Sequence, residues 1–157
     1  MKSKHALMIV DVQQAFQPPM DFVLKLDAYA QKFPCRVFTR FINPPGSMFR
    51  KALKENSCMP GSADTALLLL PKPGDLIIDK MARYGLEARH LKQLHALKIK
   101  KVTVCGLDTD ACVLGVMFSL FDAGIECHLK ENMCWSASRS LHKAALQIAR
   151  SQFPDSR

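Results

Sequence analysis

The sequence predicts a doubly wound α/β domain, a mainly parallel sheet of five or six strands with helices on both faces. Apolar runs recur at 6–10, 36–42, 75–79, 101–107 and 125–129, and helical patterns lie between them. Most of these runs do not alternate polar with apolar residues. Strands written that way are covered on both faces, as in a parallel sheet flanked by helices.

The elements follow in order. ALMIV, RVFTRFI, DLIID, KVTVCGL and IECHL read as strands from their length and their β-branched and aromatic content. MDFVLKLDAYAQKF follows the first as a helix, and SADTALLLL the second, with Ser62 as its cap. LEARHLKQLHAL follows the third, DACVLGVMFSLFDAG the fourth with Gly124 as its stop, and SASRSLHKAALQIARSQF closes the chain. Strand and helix alternate throughout, which calls for right-handed crossovers. The longest irregular stretch, 43–61, is expected to form a pocket wall.

A chain of 157 residues, 48% hydrophobic and 23% charged, is expected to fold as one domain over 1–157. Its net charge of +8 is spread from Lys2 to Arg157 without a dense block, so it reads as a basic surface rather than a nucleic-acid site. The six cysteines include no C-x-x-C pair, and several fall in strands, which suits reduced thiols and a cytoplasmic location. The apolar run near the N-terminus stops at Asp11, too short for a secretory segment, and no later run approaches a membrane span.

In open α/β sheets ligands bind beyond the carboxyl ends of the strands, near the point where strand order reverses. Three groups fall at such ends: Asp11, Lys80 and the turn GLDTDAC. Cys112 sits at the first turn of a helix, where the helix dipole and unpaired N–H groups favour thiolate. A neighbouring Lys80 acts in the same sense, while Asp11 can take the thiol proton and return it to a leaving group. Turn N–H groups can face the oxygen of a tetrahedral intermediate, where one donor is worth about 10²- to 10³-fold in rate. Amide or acyl hydrolysis is the chemistry that follows. Singly, each residue has a plainer reading: Cys112 as a small buried hydrophobe, Asp11 as a turn cap, Lys80 as a solvated lysine. Their joint placement favours reaction. Cys35, Cys58, Cys105, Cys127 and Cys134 read as structural. His128 and His142 are alternative bases for a cysteine–histidine dyad, one within a strand and the other within a helix. Phe16, Phe41, Phe49, Tyr84 and Trp135 are candidate pocket walls, and Asn43 reads as a turn residue before Pro44.

ALMIVDVQQAF, DLIIDKMARYG and VTVCGLDTDACV together resemble the isochorismatase-like cysteine hydrolases, the superfamily of nicotinamidases and N-carbamoyl amidohydrolases. The shared pattern is Asp-x-Gln after the first strand, Lys after the third and Gly-x-x-Thr-x-x-Cys-Val after the fourth. The resemblance implies Asp11 as general base and acid, Lys80 as the cation that holds Asp11 and thiolate, and Cys112 as nucleophile. It further implies a cis peptide between Leu107 and Asp108, an oxyanion hole from the Asp108 and Cys112 N–H groups, Thr109 steadying the turn, and Gln13 supporting Asp11. Gln13, Phe16, Phe41 and Tyr84 are the expected substrate-binding residues.

The sequence departs from that family in three places. Nicotinamidases bind a metal through Asp-x-His and further histidines between the second and third strands, whereas this chain has no histidine between His5 and His90. No metal and no cofactor are therefore expected, and nicotinamide is a poor fit. A phenylalanine common after the lysine gives way to Tyr84 and Gly85. The chain stops after its last helix, where relatives add a sixth strand, leaving an edge for a partner subunit or the C-terminal tail to cover. The expected function is a metal-independent cysteine hydrolase that cleaves a C–N bond of a small amide or carbamoyl compound through a thioester. Isochorismatases cleave a vinyl ether without the cysteine, so Cys112 argues against that substrate. The alternative is an inactive interaction protein on the same fold. A homo-oligomer is expected, and neither a membrane nor a nucleic acid is expected as partner.

Overall fold

In the computed structural model, which describes residues 4–153, the first strand β1 (Lys4–Val10) and the strand β4 (Ile99–Leu107) pair at the centre of the sheet. Their facing residues Ala6 to Val10 and Val102, Val104 and Cys105 are wholly buried, which explains why neither run alternates. Outward from β1 lie β2 (Arg36–Phe41) and β3 (Leu76–Lys80), and β5 (Glu126–Trp135) lies beyond β4. The sheet has five parallel strands in the order β3-β2-β1-β4-β5. Strand order thus reverses between β1 and β4, and the carboxyl ends of these two strands frame the switch-point crevice.

The helices are α1 (Met20–Ala30), a short α2 (Met48–Lys51), α3 (Ala88–Ala96), α4 (Leu114–Asp122) and α5 (Arg139–Gln152). Each long helix turns an apolar stripe inward: Val23, Leu26 and Ala30 from α1, Val116, Met117 and Leu120 from α4, Ala145 and Ala149 from α5. Ser138 caps α5 by accepting from the Leu141 N–H, and a reciprocal pair between Glu87 and His90 starts α3. Among the described residues no helix is long and apolar enough to cross a membrane.

Three expectations are corrected. Residues 62–70 are not a helix: only Ala63–Thr65 makes a single 3₁₀ turn. The chain then runs extended beside the β1 exit, with Gln13 and Leu67 in an antiparallel bridge and the Leu68 N–H donating to the Val12 carbonyl at 2.9 Å. Four consecutive leucines give no helical face, so pairing to the strand exit decides the conformation. Ser62 does not cap; its hydroxyl donates to Asp64. Strand β5 runs on to Trp135, past Lys130, Glu131 and Asn132, because an irregularity in its pairing with β4 lets a polar stretch bulge before Cys134 rejoins opposite Gly106. The helix after β4 opens with a π-helical turn, Thr109–Val113, before α4. The sheet closes at five strands among the described residues, and the tail beyond Phe153, considered as a cover for its edge, lies outside them.

Gly106 admits no other residue. Its φ is +116°, and a Cβ there would lie 2.3 Å from the Val10 carbonyl oxygen and 2.6 Å from the Val10 nitrogen. The main chains of β1 and β4 can approach this closely only because that side chain is missing, and the approach brings Asp11 next to the turn carrying Cys112.

Burial pushes the thiols of Cys58 and Cys127 up to about 12 and about 11, and that of Cys105 well above its ordinary value. Unfolded thiols ionise near pH 9, so above that the unfolded chain releases protons that the folded chain keeps, and stability falls as pH rises. Denaturation midpoints are expected to hold from pH 7 to about 8.5 and then drop steadily towards pH 11. A midpoint that rises across that interval would contradict the burial of these thiols.

Candidate active site

Asp11 leaves β1 with φ of 49°, a left-handed conformation that aspartate tolerates better than most residues and that turns its carboxylate across the strand ends. Its Oδ1 accepts from the Thr39 hydroxyl at 2.6 Å, and its own N–H is within 3.2 Å of the same hydroxyl oxygen. Its Oδ2 lies 2.7 Å from Lys80 Nζ, with both side chains wholly buried. Lys80 is the last residue of β3, and β2 stands between it and β1. Two strand spacings of about 4.8 Å separate the main chains, so a side chain of lysine length is needed to close the gap.

The Lys80 ammonium also donates to the Arg83 carbonyl at 2.9 Å, and the Cys112 thiol donates to that same oxygen at 3.0 Å. One carbonyl therefore gathers the cation and the sulfur on the side where Asp11 holds the cation. Asp11, Lys80 and Cys112 are brought together, as the three separated strand ends require.

The thiol itself differs from the expectation. Cys112 is 3% exposed. Burial first, then the Asp11 charge and a hydrogen bond to Asp11, push it up, while Lys80 and Arg83 pull it down, and the balance lies well above its ordinary value. Desolvation outweighs the helix start, so the resting sulfur is a neutral thiol rather than the thiolate that its sequence position suggested.

The turn before Cys112 is braced on both sides. The Leu107–Asp108 peptide is cis. The Asp108 carbonyl accepts from the Ala111 and Val113 N–H groups, each at 3.1 Å. The Thr109 N–H donates to the Ser136 hydroxyl at 2.9 Å, and its hydroxyl meets His142 Nδ1 at 2.8 Å. His142, weighed as a base for the cysteine, is thus engaged with Thr109, and His128 with Glu126.

Gln13 sits wholly buried with its amide given to other groups: it donates to the Phe41 and Thr65 carbonyls, each at 3.0 Å, and accepts from the Phe41 N–H at 2.7 Å. It ties the end of β2 to the segment after residue 62. Phe16 packs between the main core and the small cluster of Phe41, Phe49 and Cys58. Phe41 and Tyr84 do line a cavity, of about 420 Å³, with Met48, Phe49, Leu53 and Arg83. Two edges of that wall come from the irregular stretch 43–61: Ser47 caps α2, and α2 turns Phe49 edge-on to Phe41 with ring centres 5.4 Å apart. A second hollow, of about 330 Å³, includes Trp135, Ser136 and His142.

Sequence reasoning missed Thr39, Ser136 and Arg83. Thr39 and Ser136 carry no motif and act only through pairing across strands. Arg83 has a signal, a cation three residues after Lys80 in DLIIDKMARYG.

The stretch where relatives would hold a metal does not fit one. Its polar groups close the loop on itself: Asn43 donates to the Glu55 and Ser57 carbonyls and accepts from Ser47, and Asp64 accepts from the Cys58 N–H. Among the described residues no three His, Cys, Asp or Glu side chains gather as a metal site needs.

A profile of the Isochorismatase domain matches residues 5–155. The chain belongs to the isochorismatase family. Solved structures agree on the fold of this isochorismatase-family hydrolase. The pyrazinamidase of Pyrococcus horikoshii, determined in complex with zinc, superposes with a TM-score of 0.83 at 22% identity over 95% of this chain and 96% of that one. An isochorismatase-like hydrolase from Alkaliphilus metalliredigens gives 0.84 at 15% identity over 96% and 92%. The N-carbamoylsarcosine amidase of Thermoplasma acidophilum gives 0.79 at 17% identity over 97% and 94%.

Replacing Lys80 with methionine leaves the Asp11 carboxylate buried without its cation and is expected to cost about 3–5 kcal/mol in chemical denaturation. Separately, Cys112 in the native protein should alkylate with iodoacetamide more slowly at pH 7 than a free thiol, accelerating only at alkaline pH. Alkylation faster than a free thiol at pH 7 would show a stabilised resting thiolate instead.

Proposed function

We propose that this member of the family is a metal-independent cysteine hydrolase that releases ammonia or an amine from a small amide or carbamoyl compound. The observation that supports this reading most is the sharing of one carbonyl, that of Arg83, by Lys80 Nζ and Cys112 Sγ, with Asp11 2.7 Å from the same ammonium. A nucleophile, a proton acceptor and a fixed cation meet at one point, out of bulk water.

The neutral thiol makes Asp11 the general base. As the Cys112 sulfur bonds to the substrate carbonyl carbon, its proton passes to the Asp11 carboxylate, and the carbonyl π electrons move to oxygen. The N–H groups of Asp108 and Cys112 are the assigned donors to that oxyanion. When the C–N bond breaks, Asp11 gives the proton to the departing nitrogen and a thioester remains. Water then attacks the thioester, Asp11 takes its proton, and the proton returns to the Cys112 sulfur as the acid leaves. Lys80 stays cationic throughout and keeps Asp11 oriented between its two protonation states. Nothing in this cycle needs a vinyl ether, which leaves isochorismate outside the reading.

The amide substrates are bounded by the cavity beside the site, whose walls are Phe41, Phe49, Tyr84 and the stem of Arg83.

Cys112→Ala is expected to reduce kcat/KM at least 10³-fold, roughly the loss seen when a covalent nucleophile is removed, on any primary amide or carbamoyl compound from which the wild type releases ammonia. Asp11→Asn should match it to within about tenfold, since the two act as a unit. Unchanged turnover in the alanine variant would eliminate the thioester route.

A further inference from the structure

Arg83 is a cation built into a cavity wall with no carboxylate in ion-pair contact among the described residues. Its main chain is pinned by the two hydrogen bonds to its carbonyl and by the packing of the next residues on α4. A Cβ on Gly115 would lie 2.6 Å from the Tyr84 carbonyl oxygen, and one on Gly85 would lie 2.5 Å from Ser119 Oγ. At Gly115 a side chain would meet the Tyr84 main chain and displace the segment that presents Arg83, and at Gly85 it would push aside the Ser119 hydroxyl that accepts from the Leu86 N–H.

The guanidinium is equally well held. Its central carbon stands 4.0 Å above the Phe49 ring centre and 5.3 Å from that of Tyr84. Aromatic faces orient a guanidinium but accept none of its hydrogen bonds along the plane. Arg83 Nε and Nη1 are buried and lack a hydrogen-bond partner among the described residues. Four other arginines pair with carboxylates, Arg36 with Asp75, Arg40 with Asp79, Arg89 with Glu87 and Arg150 with Glu131, and Arg50 on α2 donates to the Asn43 carbonyl at 2.6 Å. No carboxylate of the described residues comes within 4.0 Å of Arg83, and Asp108, whose Oδ1 also lacks a partner, is no exception. A half-buried cation with two buried, unmatched donors that faces an otherwise apolar cavity is a receptor for an anionic group on whatever fills the cavity.

We propose that Arg83 is the specificity-determining residue of this site, and that the substrate is a small amide or carbamoyl compound bearing a carboxylate, which the Arg83 guanidinium binds while the apolar body lies against Phe41 and Phe49. This rests on the hydrolase reading above. The spacing follows from the arginine itself. Its carbonyl touches the Cys112 sulfur, and its guanidinium lies at most ~7 Å from its own Cα, five bonds of about 1.5 Å. The scissile carbon and the carboxylate are therefore only a few atoms apart, as in a ureido acid or the monoamide of a short dicarboxylic acid. A neutral amide of the same size leaves the guanidinium donors unmatched and is rejected for that reason.

Matched pairs of compounds test this. Succinamate is compared with butyramide, and N-carbamoylalanine with isopropylurea, each pair differing by a carboxylate in place of a methyl group. The wild type is expected to favour the acids in kcat/KM. Arg83→Met, which removes the charge but keeps the main-chain carbonyl and an apolar stem, should narrow the acid-over-neutral ratio of kcat/KM within each pair by about 10- to 100-fold, mainly through KM on the acids. An equal loss on both members of a pair, or a wild-type preference for the neutral ones, would overturn the assignment. Binding is read separately in Cys112→Ala by thermal shift with the same acids, with and without Arg83→Met. Stabilisation by the acids that vanishes with Arg83 upholds the anion site even if no amide is turned over, in which case the hydrolase reading alone falls. Absence of any acid-specific shift sinks the anion site even if the enzyme hydrolyses neutral amides.

Discussion

The ion pair between Asp11 and Lys80 is the constraint on which the rest of the architecture depends. Both groups are wholly buried and 2.7 Å apart, so each is tolerable there only because the other is present. Such a pair adds little net stability over a well-packed apolar alternative, but it fixes geometry, because a slipped register leaves two uncompensated charges in a dry site. Lys80 must end β3, Asp11 must leave β1, and β2 must lie between them with Thr39 placed to hold the second carboxylate oxygen. The packing that buries the pair includes the close contact of Gly106 with Val10, which brings the Cys112 turn to the same rim.

That burial also explains the state of the sulfur. A helix start and two cations favour the thiolate, yet a side chain 3% exposed beside a carboxylate pays a larger desolvation penalty, and the proton stays on sulfur. The two expectations drawn from position and from burial oppose each other, and burial has the larger magnitude. An acid–base partner within reach is then a chemical necessity for nucleophilic attack rather than an accessory. In the proposed cycle Asp11 would therefore do two jobs, neutralising Lys80 and receiving the thiol proton, without a second carboxylate in the motif.

Much of this was legible in the sequence because it is local or periodic. Double-sided apolar runs marked all five strands, and helical faces marked α1, α3, α4 and α5. The meeting of Asp11, Lys80 and Cys112 was readable because each follows or ends a strand at one rim of the sheet. What escaped depends on contacts between distant segments. The leucines at 67–70 look helical until the bridge from Gln13 to Leu67 draws them along the β1 exit. Gln13 supports Asp11 through its main chain, its N–H donating to the Asp11 carbonyl at 2.8 Å, while its side-chain amide joins Phe41 to Thr65, a closure that no single segment encodes. Cys112 was found by motif, but its protonation state depends on the depth of burial, which a sequence pattern does not specify.

The loop between β2 and β3 shows why pocket chemistry must be argued from this chain's own residues. Asn43, Ser47, Glu55, Ser57 and Asp64 direct their polar atoms at one another and at the loop backbone, so the loop offers the cavity hydrocarbon surface, from Met48, Phe49, Ala52 and Leu53. A wall of that kind can exclude water and hold an apolar body, but it has no directional group with which to orient a polar substrate. Orientation then falls to whichever polar atoms remain unmatched at the rim. Because Lys80 and Asp11 answer each other, the half-buried guanidinium of Arg83, with Nε and Nη1 unmatched, is the cation of this wall left to recognise charge, on the segment that also holds Lys80 through its carbonyl.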